Sequence, residues 1–141
     1  MSEVVVSKII QVPASEAWQK LSSFRGIEEI SPIERSVTEG TGSGAKRTCY
    51  MPDGAAIYET LNSVDEENME FEYEINKGPF PITSYVSTVK IEAVSENSCK
   101  VTWGCEFESA PEAEAEMSKV FEGFYHVIID SLEKVLQKLD R

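Results

Sequence analysis

Met69, Phe71, Tyr73 and Ile75 alternate with Glu70, Glu72 and Glu74. A period of two puts the four apolar side chains on one face of a strand and the three carboxylates on the other. A strand of this kind belongs in an antiparallel sheet with one dry face and one wet face. The same alternation runs through most of the stretch from Pro32 to Ser109. It predicts strands at 33–38, 47–51, 55–64, 69–75, 85–91 and 99–107. A first strand carries Val4 and Val6 and, after a slip in phase, Ile9, Ile10 and Val12. Turn chemistry separates the strands: glycines from 40 to 44, Met51-Pro52-Asp53-Gly54, and a 76–81 loop stiffened by two prolines.

The period changes twice. After Pro13, residues Ala14, Ala17, Trp18 and Leu21 form the stripe of a short helix, and Phe24, Ile27 and Ile30 suggest a second short helix ended by Pro32. From Pro111 to Leu139 the spacing is helical throughout. Met117, Val120, Phe121, Phe124, Ile128, Leu132, Val135 and Leu139 share one side. Glu112, Glu114 and Glu116 at the amino end and Lys134, Lys138 and Arg141 at the carboxyl end suit the helix dipole. Gly123 inside this helix costs about 1 kcal/mol relative to alanine and leaves either a bend or close packing open.

One strand, two short helices, six strands and a long terminal helix make an α+β protein. The 141 residues fit a single domain over 1–141. A seven-stranded antiparallel sheet of this length must curl, and the terminal helix is the lid for its concave face. A helix ~10 Å across is too narrow to fill a broad concavity, which leaves room for an interior pocket.

Charge narrows the partners. Thirteen Lys and Arg against 25 Asp and Glu give a net charge of −12, which argues against nucleic acid and anionic membranes. No apolar run approaches the ~18 residues of a membrane span. Cys49, Cys99 and Cys105 follow no zinc or redox spacing and read as small buried hydrophobes, free thiols in a reducing cytoplasm.

Several local motifs span nearly the whole chain in a fixed order: Val12-Pro13-Ala14 with Ala17-Trp18 and Leu21, the Gly44-to-Arg47 strand entry, and Asp53-Gly54 with Tyr58-Glu59 and Leu61. Tyr73-Glu74-Ile75, the Gly78-to-Pro81 loop with Tyr85, and Val101-Thr102-Trp103 follow. In order and spacing the chain resembles the START-like (SRPBCC, birch-pollen-allergen-like) superfamily, and within it the bacterial polyketide cyclase/dehydrase-type members. Ile30-Ser31-Pro32 stands where many of those members have Trp-x-Pro. The resemblance implies a helix-grip fold, a curved seven-stranded sheet wrapped around a long C-terminal helix. It also implies a cavity for lipids, hormones, polyketides or other apolar molecules, with only some members catalytic.

Arg47 and Glu59 are the most informative pair. With a three-residue loop at 52–54, Met51 faces Ala55, Cys49 faces Ile57, and Arg47 faces Glu59. Both charges then lie on the apolar face with Ile57 and Leu61, where each must neutralise the other. The pair is open to three readings: a structural ion pair, a polar handle for a ligand, or an acid/base pair. Phe71, Tyr73, Tyr85, Trp103, Phe107, Phe121, Phe124 and Tyr125 fall on the sheet's inner face and the helix facing it. They read either as plain core packing or as cavity lining, with the Tyr73 and Tyr85 hydroxyls turned to a ligand. The 52–54 and 76–81 loops would form a rim able to gate it.

Other candidates fall away. His126, the single histidine, lies opposite the helix stripe and should face solvent. No Gly-x-Ser-x-Gly elbow supports a triad, and no ligand spacing supports a metal or cofactor. Gly40-Thr41-Gly42-Ser43-Gly44-Ala45-Lys46 resembles a phosphate loop only superficially, because Ala45 and Arg47 replace the required glycine and Ser/Thr. The first expectation is therefore a cytoplasmic binder of a small, largely apolar molecule, a monomer or weak homodimer. The alternative is a polyketide cyclase/aromatase or dehydrase using Glu59 as base and Arg47 to polarise a carbonyl. A third is a protein–protein module that uses the fold without a ligand.

Overall fold

The computed structural model describes residues 1–139. The chain runs β1 (Ser2–Ile10), α1 (Ala14–Ser22), a 3-10 turn (Ile27–Glu29), β2 (Arg35–Glu39), β3 (Lys46–Tyr50) and β4 (Ala56–Asp65). β5 (Glu70–Lys77), β6 (Ile82–Ser95), β7 (Ser98–Ser109) and α2 (Pro111–Leu139) complete it. Arg141 and the side chain of Leu139, both expected to serve the long helix, lie outside the described residues.

The strands form one curved antiparallel sheet in the order β1-β7-β6-β5-β4-β3-β2. Each strand from β2 to β7 pairs with the next, and β1 returns to pair with β7. The period-two pattern explains this: every strand has one apolar face, and stacking all of these faces inward makes one concave core beneath α2 and α1. The expected alternation holds on β5, where Phe71 and Tyr73 are buried while Glu70, Glu72 and Glu74 turn outward.

Three expectations change in detail. The second short helix is a single 3-10 turn, because Gly26 takes φ 74° just before it and Pro32 forbids extension. β1 has no slip: Val4, Val6 and Ile10 face inward and Ile9 faces out. Lys8 keeps the phase at the rim by reaching Asp130 on α2 at 2.8 Å, and Val12 is buried beyond the strand end. The buried face of α2 is Met117, Phe121, Tyr125, Ile128, Ile129, Leu132 and Leu136. That face is turned by roughly half of one residue's ~100° step from the expected stripe. Tyr125 and Ile129 replace Val120 and Phe124 at its centre, because tyrosine buries its ring while bonding its hydroxyl inside.

Among the described residues no helix is long and apolar enough to cross a membrane.

Candidate functional site

The hairpin of β3 and β4 builds the site. Gly54 takes φ 92°, which glycine tolerates, and closes the turn with its N–H donating to the Met51 carbonyl at 2.8 Å. Asp53 Oδ1 accepts the Ala55 N–H at 2.9 Å, and the Met51 N–H donates to the Ala55 carbonyl at 2.8 Å. That turn sets the register, placing Cys49 opposite Ile57 and Arg47 opposite Glu59. Arg47 Nε donates to Glu59 Oε1 at 2.6 Å, and both side chains are more than nine-tenths buried. Cys49 Sγ donates to the same oxygen at 3.4 Å.

Burial is the largest single influence and pulls the Arg47 guanidinium down. The charge and hydrogen bond of Glu59, joined by Cys49 and Tyr73, together outweigh it and leave Arg47 above its ordinary value. The Cys49 thiol is pushed well above its usual range, by burial first and by Glu59 second, so it is an inert thiol. Phe24 completes the clamp. It adopts φ 60°, a left-handed conformation costly for a bulky side chain, and its ring lies 3.8 Å beneath the guanidinium carbon. Nothing in the sequence pattern marks Phe24 for this contact.

A hydroxyl chain continues inward from the pair. Trp103 Nε1 donates to the Tyr73 hydroxyl at 3.2 Å, Tyr73 and Tyr85 hydroxyls lie 3.5 Å apart, and Tyr85 bonds to Tyr125. Burial is the main cause that raises all three tyrosines, with Tyr73 pushed up to about 12. They remain neutral donors at ordinary pH.

Ile57, Leu61, Phe71, Tyr73, Tyr85, Trp103 and Phe121 are all buried on this inner face, as the spacing predicts. Phe124 is only half-buried at the flank, and Tyr125 occupies the position expected of it. His126 is exposed. Among the described residues no group of three or more metal-ligating side chains exists.

The interior is tighter than the sequence suggests. The void that runs from Arg47, Phe71, Tyr73 and Trp103 out past Leu21 and Ile30 to Lys20 and Arg25 at the surface holds about 10 Å³, room for roughly one water. Interlocked rings account for this: Tyr73 meets Trp103 edge-on at 6.4 Å, and Trp103 stacks on Tyr125 at 5.8 Å. An open groove of about 460 Å³ lies at the rim instead, lined by Met51, Pro52, Asp53, Ala55, Pro79 and Phe80. Phe80 forms the inner wall of this groove, packed edge-on against Phe121 at 5.5 Å, which in turn touches Tyr85. The Arg47–Glu59 pair lies four residues along β3 from Met51, ~13 Å deep at ~3.3 Å per residue.

A family model described as polyketide cyclase/dehydrase and lipid transport matches residues 1–137. The chain belongs to this family. No curated protein matches the sequence. Among solved structures, the XoxI protein of Bacillus cereus is 25% identical, with 100% of this chain and 99% of that one covered and a TM-score of 0.88. Norcoclaurine synthase of Thalictrum flavum, bound to a transition-state analogue, is 16% identical over 99% of this chain and 96% of its own, with a TM-score of 0.81. The di-domain aromatase/cyclase BexL of the BE-7585A pathway is 13% identical, with a TM-score of 0.84. It is covered over 97% of this chain and 47% of its own. At such identities the last two likenesses are of fold, the helix-grip arrangement of this polyketide cyclase/dehydrase-type family.

Proposed function

We propose that the protein binds a small, largely apolar molecule through the rim groove, with Phe80 moving aside to admit it toward Tyr85, Phe121 and the Arg47–Glu59 pair. The observation that carries this reading is the open, largely apolar groove of about 460 Å³ at the rim. The family, whose description includes lipid transport, and the fold shared with small-molecule enzymes support it. Ile57, Leu61, Phe71, Tyr73, Trp103 and the flanking Phe124 would contact or back the ligand, and the neutral hydroxyls would bond a carbonyl or hydroxyl on it. Three free, buried thiols suit a reducing cytoplasm.

Binding fits the geometry better than turnover. Glu59 Oε1 is already held by Arg47 and Cys49, so a proton taken there would break the pair. The test is mass spectrometry of small molecules released from freshly purified, denatured protein, joined to binding of 1-aminoanthracene. An apolar species at near-stoichiometric yield is expected, with dye binding lost in Ala55→Trp, which fills the groove. Dye binding indifferent to Ala55→Trp would refute the groove as the entry. Turnover of a polyketide-like substrate, lost in Glu59→Gln with the fold retained, would favour the cyclase instead.

A further inference from the structure

Val5, Val86 and the bare backbone of Gly104 floor a separate groove of about 460 Å³ on the outer face of the sheet. The strand register orders its walls. In one row Glu3 stands opposite Glu106, Glu106 opposite Val86, and Val86 opposite Glu74. In the next, Val5 stands opposite Gly104, Gly104 opposite Thr88, and Thr88 opposite Glu72. Gly104 keeps the floor open, since a Cβ there would come within 3.1 Å of the Val4 carbonyl oxygen and 3.2 Å of Val5 Cγ2. Val5 is 55% exposed and Val86 39%, an apolar pair left in water at the centre of the groove.

Glu3 and Glu106 oppose each other directly, a like-charge placement that destabilises a sheet. Among the described residues neither carboxylate forms an ion pair, nor does Glu72, which accepts only from Asn62. On the next two rows of this face Lys90 stands between Thr102 and Glu70, and Lys100 stands opposite Glu92 at 4.0 Å. The charged side chains that line the groove are all carboxylates, whereas the lysines beyond it each face a carboxylate of their own, so the groove attracts a cation.

We infer that this outer groove docks a short basic segment of a partner protein, its apolar side chains over Val5, Gly104 and Val86 and its cations against Glu3, Glu106 and Glu72. Charge complementarity selects this occupant. A second copy would bring another −12 charge, and nucleic acid and anionic lipid are repelled likewise. A metal ion is disfavoured because the groove's carboxylates form no group able to hold one. The inference is independent of any ligand in the interior.

The test measures anisotropy of a fluorescein-labelled peptide of alternating lysine and valine, from ~0.01 to ~0.15 M salt, where the Debye length falls from ~30 to ~8 Å. Binding is expected at low salt, weakening as salt rises. Glu3→Gln with Glu106→Gln should weaken it roughly tenfold. Glu112→Gln with Glu116→Gln, exposed on α2 and equal in charge change, should leave it within about twofold. A lysine–serine peptide should bind more weakly than the lysine–valine one. The inference is overturned by no binding at low salt, by equal loss in the α2 pair, or by equal affinity for the lysine–serine peptide. The first pair of substitutions is on the surface and relieves repulsion, so folding is retained and thermal unfolding confirms it.

Discussion

The Arg47 guanidinium is held from two directions, with its Nε 2.6 Å from Glu59 Oε1 and its carbon 3.8 Å over the Phe24 ring. Removing one charge strands the other in a dry site. Glu59→Ala is expected to destabilise the fold by about 3–5 kcal/mol in urea unfolding. The double substitution Arg47→Met with Glu59→Leu should recover most of that loss. A double variant as unstable as Glu59→Ala would mean that the pair itself, rather than its balance, holds the hairpin.

The hydroxyl chain makes a second, smaller contribution. Tyr125→Phe removes the Tyr85 hydroxyl's partner on α2 and leaves it the longer contact to Tyr73 at 3.5 Å. A loss of about 1–2 kcal/mol is expected, with the ring packing against Trp103 intact. Near-UV circular dichroism should keep its shape while the urea midpoint falls. An unchanged midpoint would count against the chain as a stabilising element.

Alkali should unfold this protein early. Tyr73, Tyr85 and Tyr125 titrate higher in the fold than in the open chain, as do Cys99 and Cys105, each pushed to about 11, chiefly by burial. The native state therefore holds more protons than the unfolded one once the ordinary thiol and phenol values are passed. Stability is full below about pH 9 and falls as pH rises through about 12. Tyr73, pushed up to about 12, contributes on the order of 3 kcal/mol of this. Urea midpoints measured from pH 8 to about 12 should decline, less steeply in Tyr73→Phe. A flat profile would contradict it.

Gly123 offers the opposite case. It lies exposed within α2, and a Cβ there would meet nothing within 4 Å. Close packing is thus not its reason for being glycine. Gly123→Ala should stabilise by about 1 kcal/mol and raise Tm by roughly 3 °C in calorimetry. A lowered Tm would show that the helix needs a bend there.

Strand positions, the long helix and the Arg47–Glu59 pairing were readable because each depends on neighbours close in the chain. Alternation on β5 chooses which side chains turn inward, and the Pro52-Asp53-Gly54 turn carries the register four residues up to the charged pair. The β6–β7 hairpin was harder to bound, since its turn is only Glu96-Asn97 and the strands reach 14 and 12 residues. The rotation of α2 escaped because Val120 and Tyr125 differ little in a stripe count. Only the facing strands β1 and β7 decide which is covered.

Periodicity and turn chemistry therefore settle the sheet, its register and the charge pair buried in it, because these are local and obey fixed geometric repeats. How full the interior is depends on side chains far apart in sequence meeting at van der Waals distance. Phe24 reaches Arg47, Trp103 reaches Tyr125, and Phe80 reaches Phe121, all through packing that no repeat encodes. A tight core with open grooves at the rim and on the outer face is the outcome of those long-range contacts.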